Sequence, residues 1–152
     1  MHNTGKDDLR LDETDYRILT ILEENGRTPN NEIAARLDLS EGTVRNRIRK
    51  LTGGNYLKIR GLTNVNMRTD KQLLFVMIKL TSTKHWERTA QKVSALPHVR
   101  SVSMITGRYD LVVEIYIEPH NLINFLTNDL TSVQCIGTSE SLAAIKTFSK
   151  WI

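Results

Sequence analysis

A single cysteine, Cys135, stands in the 152 residues. That excludes an intrachain disulfide and suits a reducing compartment, and Cys135 fits a small core or strand position better than a nucleophile. The four histidines, His2, His85, His98 and His120, are scattered without metal-ligand spacing, so no metal site is expected. No apolar run is long enough to span a membrane, and no apolar signal segment opens the chain; the expected location is the cytoplasm. There is no P-loop, no paired dinucleotide glycine motif and no nucleophile elbow. Neither a cofactor nor a catalytic residue is therefore expected. One further absence is local: Gly42 to Thr69 holds no acid, while Arg45, Arg47, Arg49, Lys50, Lys58, Arg60 and Arg68 all fall there. Acids outnumber bases from Asp7 to Glu41, so the modest net charge of +4 hides a basic patch. Such a patch on one element is the electrostatic footprint of a nucleic-acid binder.

What is present centres on Leu39 to Leu51. Ser40 is a good N-cap, and Val44, Ile48 and Leu51 at i, i+4 and i+7 share one inward face. The opposite face carries Gly42, Thr43, Asn46, Arg49 and Lys50, flanked by Arg45 and Arg47. Asn and Thr can pair with base edges, and the surrounding cations with phosphates. The spacing predicts two helices before this one. The first is capped by Asp12 or Thr14, runs to Glu24 with Ile18, Ile21 and Leu22 inward, and is stopped by left-handed Asn25-Gly26. The second is capped by Thr28, with Pro29 at its first position and Ile33, Ala34 and Leu37 inward. Three short helices with a tight turn before the third make a helix-turn-helix unit. Tyr56 to Ile59 and Leu62 to Val65 suit a short strand or wing.

After a polar linker the period changes. Leu73–Leu80, Val99–Thr106, Tyr109–Ile117 and Thr138–Thr147 read as strands, and His85–Leu96 and Asn121–Leu130 as helices. Gly107-Arg108 signals a hairpin. The order βαββαβ is the ferredoxin-like pattern. The expected fold is thus α+β: a mobile N-terminus over 1–10, a winged-helix-like helix-turn-helix domain over 11–62, a linker over 63–72 and a ferredoxin-like domain over 73–152.

These residues resemble the leucine-responsive and asparagine regulator family (Lrp/AsnC) over about 10–150. The first half carries its opening pattern as Leu11-Asp12, Asp15, Ile18-Leu19, Leu22, Asn25-Gly26-Arg27, Glu32-Ile33-Ala34, Leu39-Ser40, Val44, Arg47-Ile48 and Leu51. Thr106-Gly107-Arg108-Tyr109-Asp110 matches the family's turn motif. Two departures stand out. Asn55 occupies a usual glycine position, and Pro29 a frequent cap serine position.

The resemblance implies a sequence-specific transcription factor on double-stranded DNA, with a palindromic operator and a small-molecule effector, usually an amino acid. Thr28, Ser40, Gly42, Thr43, Arg45, Asn46, Arg47, Arg49 and Lys50 are the expected DNA-binding residues. Thr106, Gly107, Arg108, Tyr109 and Asp110 are the expected effector residues, with Asp110 holding an ammonium group and turn N–H groups a carboxylate. Phe75 and Met77 alternate with Val76, Ile78 and Leu80, so both sheet faces are apolar. A homodimer through these sheets is expected, extending to a tetramer or octamer. Two alternatives remain: a siroheme-decarboxylase-like enzyme, which resembles the family in both domains but has no need of a basic third helix, and an architectural DNA-compacting protein with little sequence preference.

Overall fold

The Asp12 carboxylate accepts the Asp15 N–H at 2.9 Å, and the Asp15 carboxylate accepts the Asp12 N–H at 3.1 Å. This reciprocal capping box starts helix α1 (Glu13–Glu24). The computed structural model describes residues 10–152, so the expectation of a mobile 1–10 segment lies outside the described residues except at Arg10. The chain divides into two compact units between Gly61 and Leu62.

In the first unit α1 ends differently from the sequence expectation. Asn25 is extended (φ −147°) rather than left-handed. Its side-chain oxygen instead accepts the Arg27 N–H at 3.0 Å, an Asx turn. Helix α2 (Asn30–Leu37) is capped by Pro29, one residue later than expected. The Pro29 carbonyl accepts the Ile33 N–H at 3.1 Å. Asp38 then turns left-handed (φ 56°), the Leu39 N–H donates to the Ala34 carbonyl at 2.9 Å, and helix α3 (Glu41–Gly53) follows. Asn55 is also left-handed (φ 60°), a conformation Asn tolerates better than most residues. Ile18, Leu22, Ile33, Ala34, Val44 and Leu51 form the core, with Ile48 and Leu57 packed at its edge.

No wing forms. The Tyr56 and Leu57 N–H groups both donate to the Leu51 carbonyl, at 2.9 and 3.2 Å, turning the chain back onto the end of α3. Residues 56–63 contain no strand.

The second unit is a four-stranded antiparallel sheet of order β2-β3-β1-β4. Its elements are β1 (Gln72–Leu80), α4 (Trp86–Ser94), β2 (Val99–Met104), β3 (Leu111–Ile117) and β4 (Ile136–Ala143). Between β3 and β4 a 3-10 turn (Pro119–Asn121), α5 (Leu122–Asn124), a π-helical stretch (Phe125–Asp129) and a second 3-10 turn (Leu130–Ser132) run on without a break. The register pairs Leu74 with Ile115, Val76 with Val113 and Ile78 with Leu111. Directly opposed residues share a face. That row, with Leu80 and Ile117, is buried against Val93, Phe125, Leu130 and Val133.

Among the described residues, the opposite sheet face is covered only at one end. Val65, Leu73, Tyr116 and Ile152 form a small second cluster there, and the Tyr116 hydroxyl donates to the Val65 carbonyl at 3.1 Å. Residues 63–67, expected in the linker, thus belong to this unit. Thr63 exchanges backbone hydrogen bonds with Ile152 at 2.9 and 3.0 Å, and Val65–Met67 is a 3-10 turn.

Candidate functional sites

Helix α3 takes its position from both sides. The Ser40 hydroxyl accepts the Thr43 N–H at 3.1 Å and lies 2.8 Å from the Thr43 hydroxyl. Val44 and Leu51 are fully buried and Ile48 half-buried, which fixes the rotation of the helix. Gly42, Arg45, Asn46, Arg49 and Lys50 are consequently exposed, with Thr43 half-buried beside them. A Cβ on Gly42 would meet nothing closer than the Ser40 Oγ at 3.9 Å. Nothing in the fold therefore requires glycine there; its smallness leaves room for a close neighbour outside the chain. Thr43, Asn46 and Lys50 line a shallow cavity of about 360 Å³ together with Asp12 and Arg47.

The expected DNA-binding residues divide here. Asn46 and Lys50 point outward; Lys50 has no carboxylate partner among the described residues, and the Asn46 side-chain oxygen accepts from Arg49 Nη1 at 3.3 Å. Arg45 pairs with Glu41 one turn back, an exposed pair that phosphate can displace. Arg47 is engaged within the chain. Its Nη1 donates to both Asp12 oxygens, at 2.9 and 2.8 Å, and to Asp15 Oδ1 at 2.7 Å. Arg47 is thus committed to α1, and it holds the Asp12 carboxyl below the usual carboxylate range. Thr28 corrects the capping expectation: it is buried, and its hydroxyl donates to the Asn25 carbonyl at 2.8 Å, so it does not cap α2.

The hairpin between β2 and β3 is longer than the two-residue turn expected. The strands stop at Met104 and resume at Leu111, with one further bond from the Ile105 N–H to the Asp110 carbonyl at 2.9 Å. Gly107 takes φ +119°, which L side chains rarely adopt. The N–H groups of Thr106, Gly107, Arg108 and Tyr109 have no hydrogen-bond partner among the described residues. Arg108 lies over the Tyr109 ring, 5.4 Å from its centroid, and the Tyr109 hydroxyl donates to Glu140, which raises the phenol's pKa.

Asp110 is buried rather than open. Its Oδ2 accepts the Leu80 N–H at 2.8 Å and its Oδ1 the Lys79 ammonium at 3.0 Å. The Leu80 N–H first, then Lys79, holds its pKa down. Its cationic partner within the chain is Lys79, facing it from β1. The described residues contain no cluster of three or more metal-ligating side chains, and no helix among them is long and apolar enough to cross a membrane.

The comparisons with known proteins agree with this division. An AsnC-type helix-turn-helix domain matches residues 11–52, and an Lrp/AsnC ligand binding domain matches residues 73–150. The chain is 30% identical over 138 residues to the HTH-type transcriptional regulator FL11 of Pyrococcus abyssi, covering 90% of this chain and 91% of that one. It is 30% identical over 138 residues to the HTH-type transcriptional regulator LysM of Saccharolobus solfataricus, covering 91% and 96%. Among solved structures, the leucine response regulatory protein LrpA of Mycobacterium tuberculosis superposes with a TM-score of 0.76 at 20% identity, over 92% of this chain and 96% of that one. A regulator of Neisseria meningitidis in complex with L-Met superposes with a TM-score of 0.66 at 24% identity, over 92% and 93%. With both halves matched in order and the outer face of α3 free, the chain belongs to the Lrp/AsnC family of DNA-binding transcriptional regulators.

Proposed function

We propose that this regulator reads a palindromic operator as a homodimer or larger assembly of such dimers, and answers to an amino acid bound at the hairpin between β2 and β3. The observation that carries the DNA reading is the outward set on α3, in which Asn46 supplies a paired donor and acceptor and Lys50 and Arg49 supply charge. Two copies related by a two-fold axis would meet half-sites about one helical turn, or a multiple of it, apart. The half-covered sheet face supports assembly. Phe75, Met77 and Val112 are only partly buried there, and Leu142 is 47% exposed.

The unpaired N–H groups at Thr106–Tyr109 suit a ligand carboxylate. Asp110 already binds an ammonium group, that of Lys79, whose side chain is 48% exposed and free to swing away. An incoming α-amino group would take its place. The neighbour solved with L-Met supports an amino acid as the ligand class.

The test is selection of bound sequences from a random duplex pool, with and without Asn46→Ala, and calorimetry of the twenty amino acids against wild type and Asp110→Ala. Asn46→Ala is expected to relax preference at one base position, at a cost of about 1–3 kcal/mol. An unchanged motif would remove Asn46 from the reading face. Equal amino-acid affinity for both proteins would move the effector away from Asp110, and no binding to wild type would leave the hairpin a turn only.

A further inference from the structure

The cations of the second unit are almost all accounted for. Arg68, Lys71, Lys79 and Lys150 each hold a carboxylate. Arg100, Arg108 and Lys146 each lie over an aromatic ring. The cations left with neither, among the described residues, are Lys84, Arg88 and Lys92, and all three belong to α4 and the turn that leads into it.

They are also close together. Lys84, His85 and Arg88 line one open cavity of about 430 Å³, and His85, Arg88 and Lys92 line an adjoining one of about 110 Å³. The shared His85 and Arg88 join the two into one basic face, and all four side chains are exposed. Among the described residues, Glu87 is the one acid on either rim. The opposite side of α4 is spent on packing, with Thr89 and Val93 buried. Arg88 and Lys92 stand at i, i+4, a spacing at which like charges disfavour a helix. The fold thus keeps a repulsive row in place with no ion pair to offset it among the described residues.

We propose that this face of α4 is a second, sequence-independent contact for the phosphate backbone of DNA, separate from the reading face of α3. Charge complementarity selects the occupant. An open row of exposed cations suits a linear polyanion, and DNA is the polyanion this family engages. Such a contact would add affinity for DNA without adding to the sequence that is read.

The experiment measures Kd for a random-sequence 60-base-pair duplex against KCl concentration, using the full chain. The variants are Lys84→Gln/Arg88→Gln/Lys92→Gln, the charge-preserving Arg88→Lys/Lys92→Arg, Lys50→Gln on α3 and Lys146→Gln as a charge control. The triple variant is expected to flatten the slope of log K against log salt by about 0.9 for each phosphate that it no longer neutralises. The charge-preserving variant and Lys146→Gln should keep the wild-type slope, and Lys50→Gln should flatten it independently. An unchanged slope in the triple variant overturns the α4 contact, while a response of Lys50→Gln in the same assay leaves the α3 reading standing. Failure of both would count against both surfaces. Equal flattening by Lys146→Gln would reduce the effect to net charge and also overturn the proposal. So would pyrophosphate binding that the triple variant abolishes while its DNA slope stays as in wild type, since the face would then serve a small anion.

Discussion

Arg47 reaches 32 residues back along the sequence to place Nη1 2.7 Å from Asp15 Oδ1, tying the recognition helix to α1. Asp15 is 3% exposed, so this is the inner half of a fork whose outer half is Asp12. The arginine thus ties α3 to the first turn of α1. Asp15→Ala is expected to destabilise the first unit by about 1.5–3 kcal/mol, the range for a hydrogen bond to a charged group, measured by urea unfolding. Arg47→Gln should weaken DNA binding while leaving its salt slope as in wild type. A slope reduced by about 0.9 would instead place Arg47 on a phosphate.

Thr28 and Ser40 were both expected near DNA, and the structure gives them separate tasks. Ser40→Ala removes the N-cap of α3 and should cost about 1 kcal/mol, with a loss of DNA affinity that follows from a frayed first turn. Thr28→Val keeps the shape but removes the bond to the Asn25 carbonyl, at a cost of about 1 kcal/mol. Its DNA affinity at a temperature well below unfolding should match wild type. A selective loss of affinity in Thr28→Val would return that residue to the interface.

Glu118 sets a pH prediction for the second unit. The Lys71 ammonium, 2.9 Å away, holds its carboxyl at about 2. A depressed carboxylate pKa contributes stability above the unfolded value of about 4.3 and loses it as pH falls through the folded value. The wild-type protein should therefore lose stability faster than Glu118→Gln between about pH 4 and pH 2, with the two curves parallel above pH 5. Parallel curves throughout would mean that Lys71 does not hold Glu118 in solution.

Periodicity made much of this fold legible. The alternation in β1 and β3 marks the buried row correctly because both are central strands with one face on the helices. β4 was harder: it is an edge strand with no buried residue, so hydrophobic pattern hardly marks it, and it begins and ends earlier than expected. Gly137 shows what was decisive there. A Cβ at that position would lie 2.9 Å from the Lys79 carbonyl, where the β1–β4 register shifts. Side-chain partners across long separations were the other blind spot. Local spacing showed Arg47 and Asp110 as charges on a helix and at a turn, and could not show that Asp15 and Lys79 already occupy them.

The paired hydrogen bonds between Thr63 and Ile152 bring the two ends of the second unit together. Topologically the unit is a loop with a clasp. A short peptide joining 152 to 62 would close it into a ring, and the ring could be reopened at the exposed hairpin around Gly107 with its sheet order intact. A label placed at Ile152 would sit beside Thr63, so a reporter there would register whether the clasp is fastened.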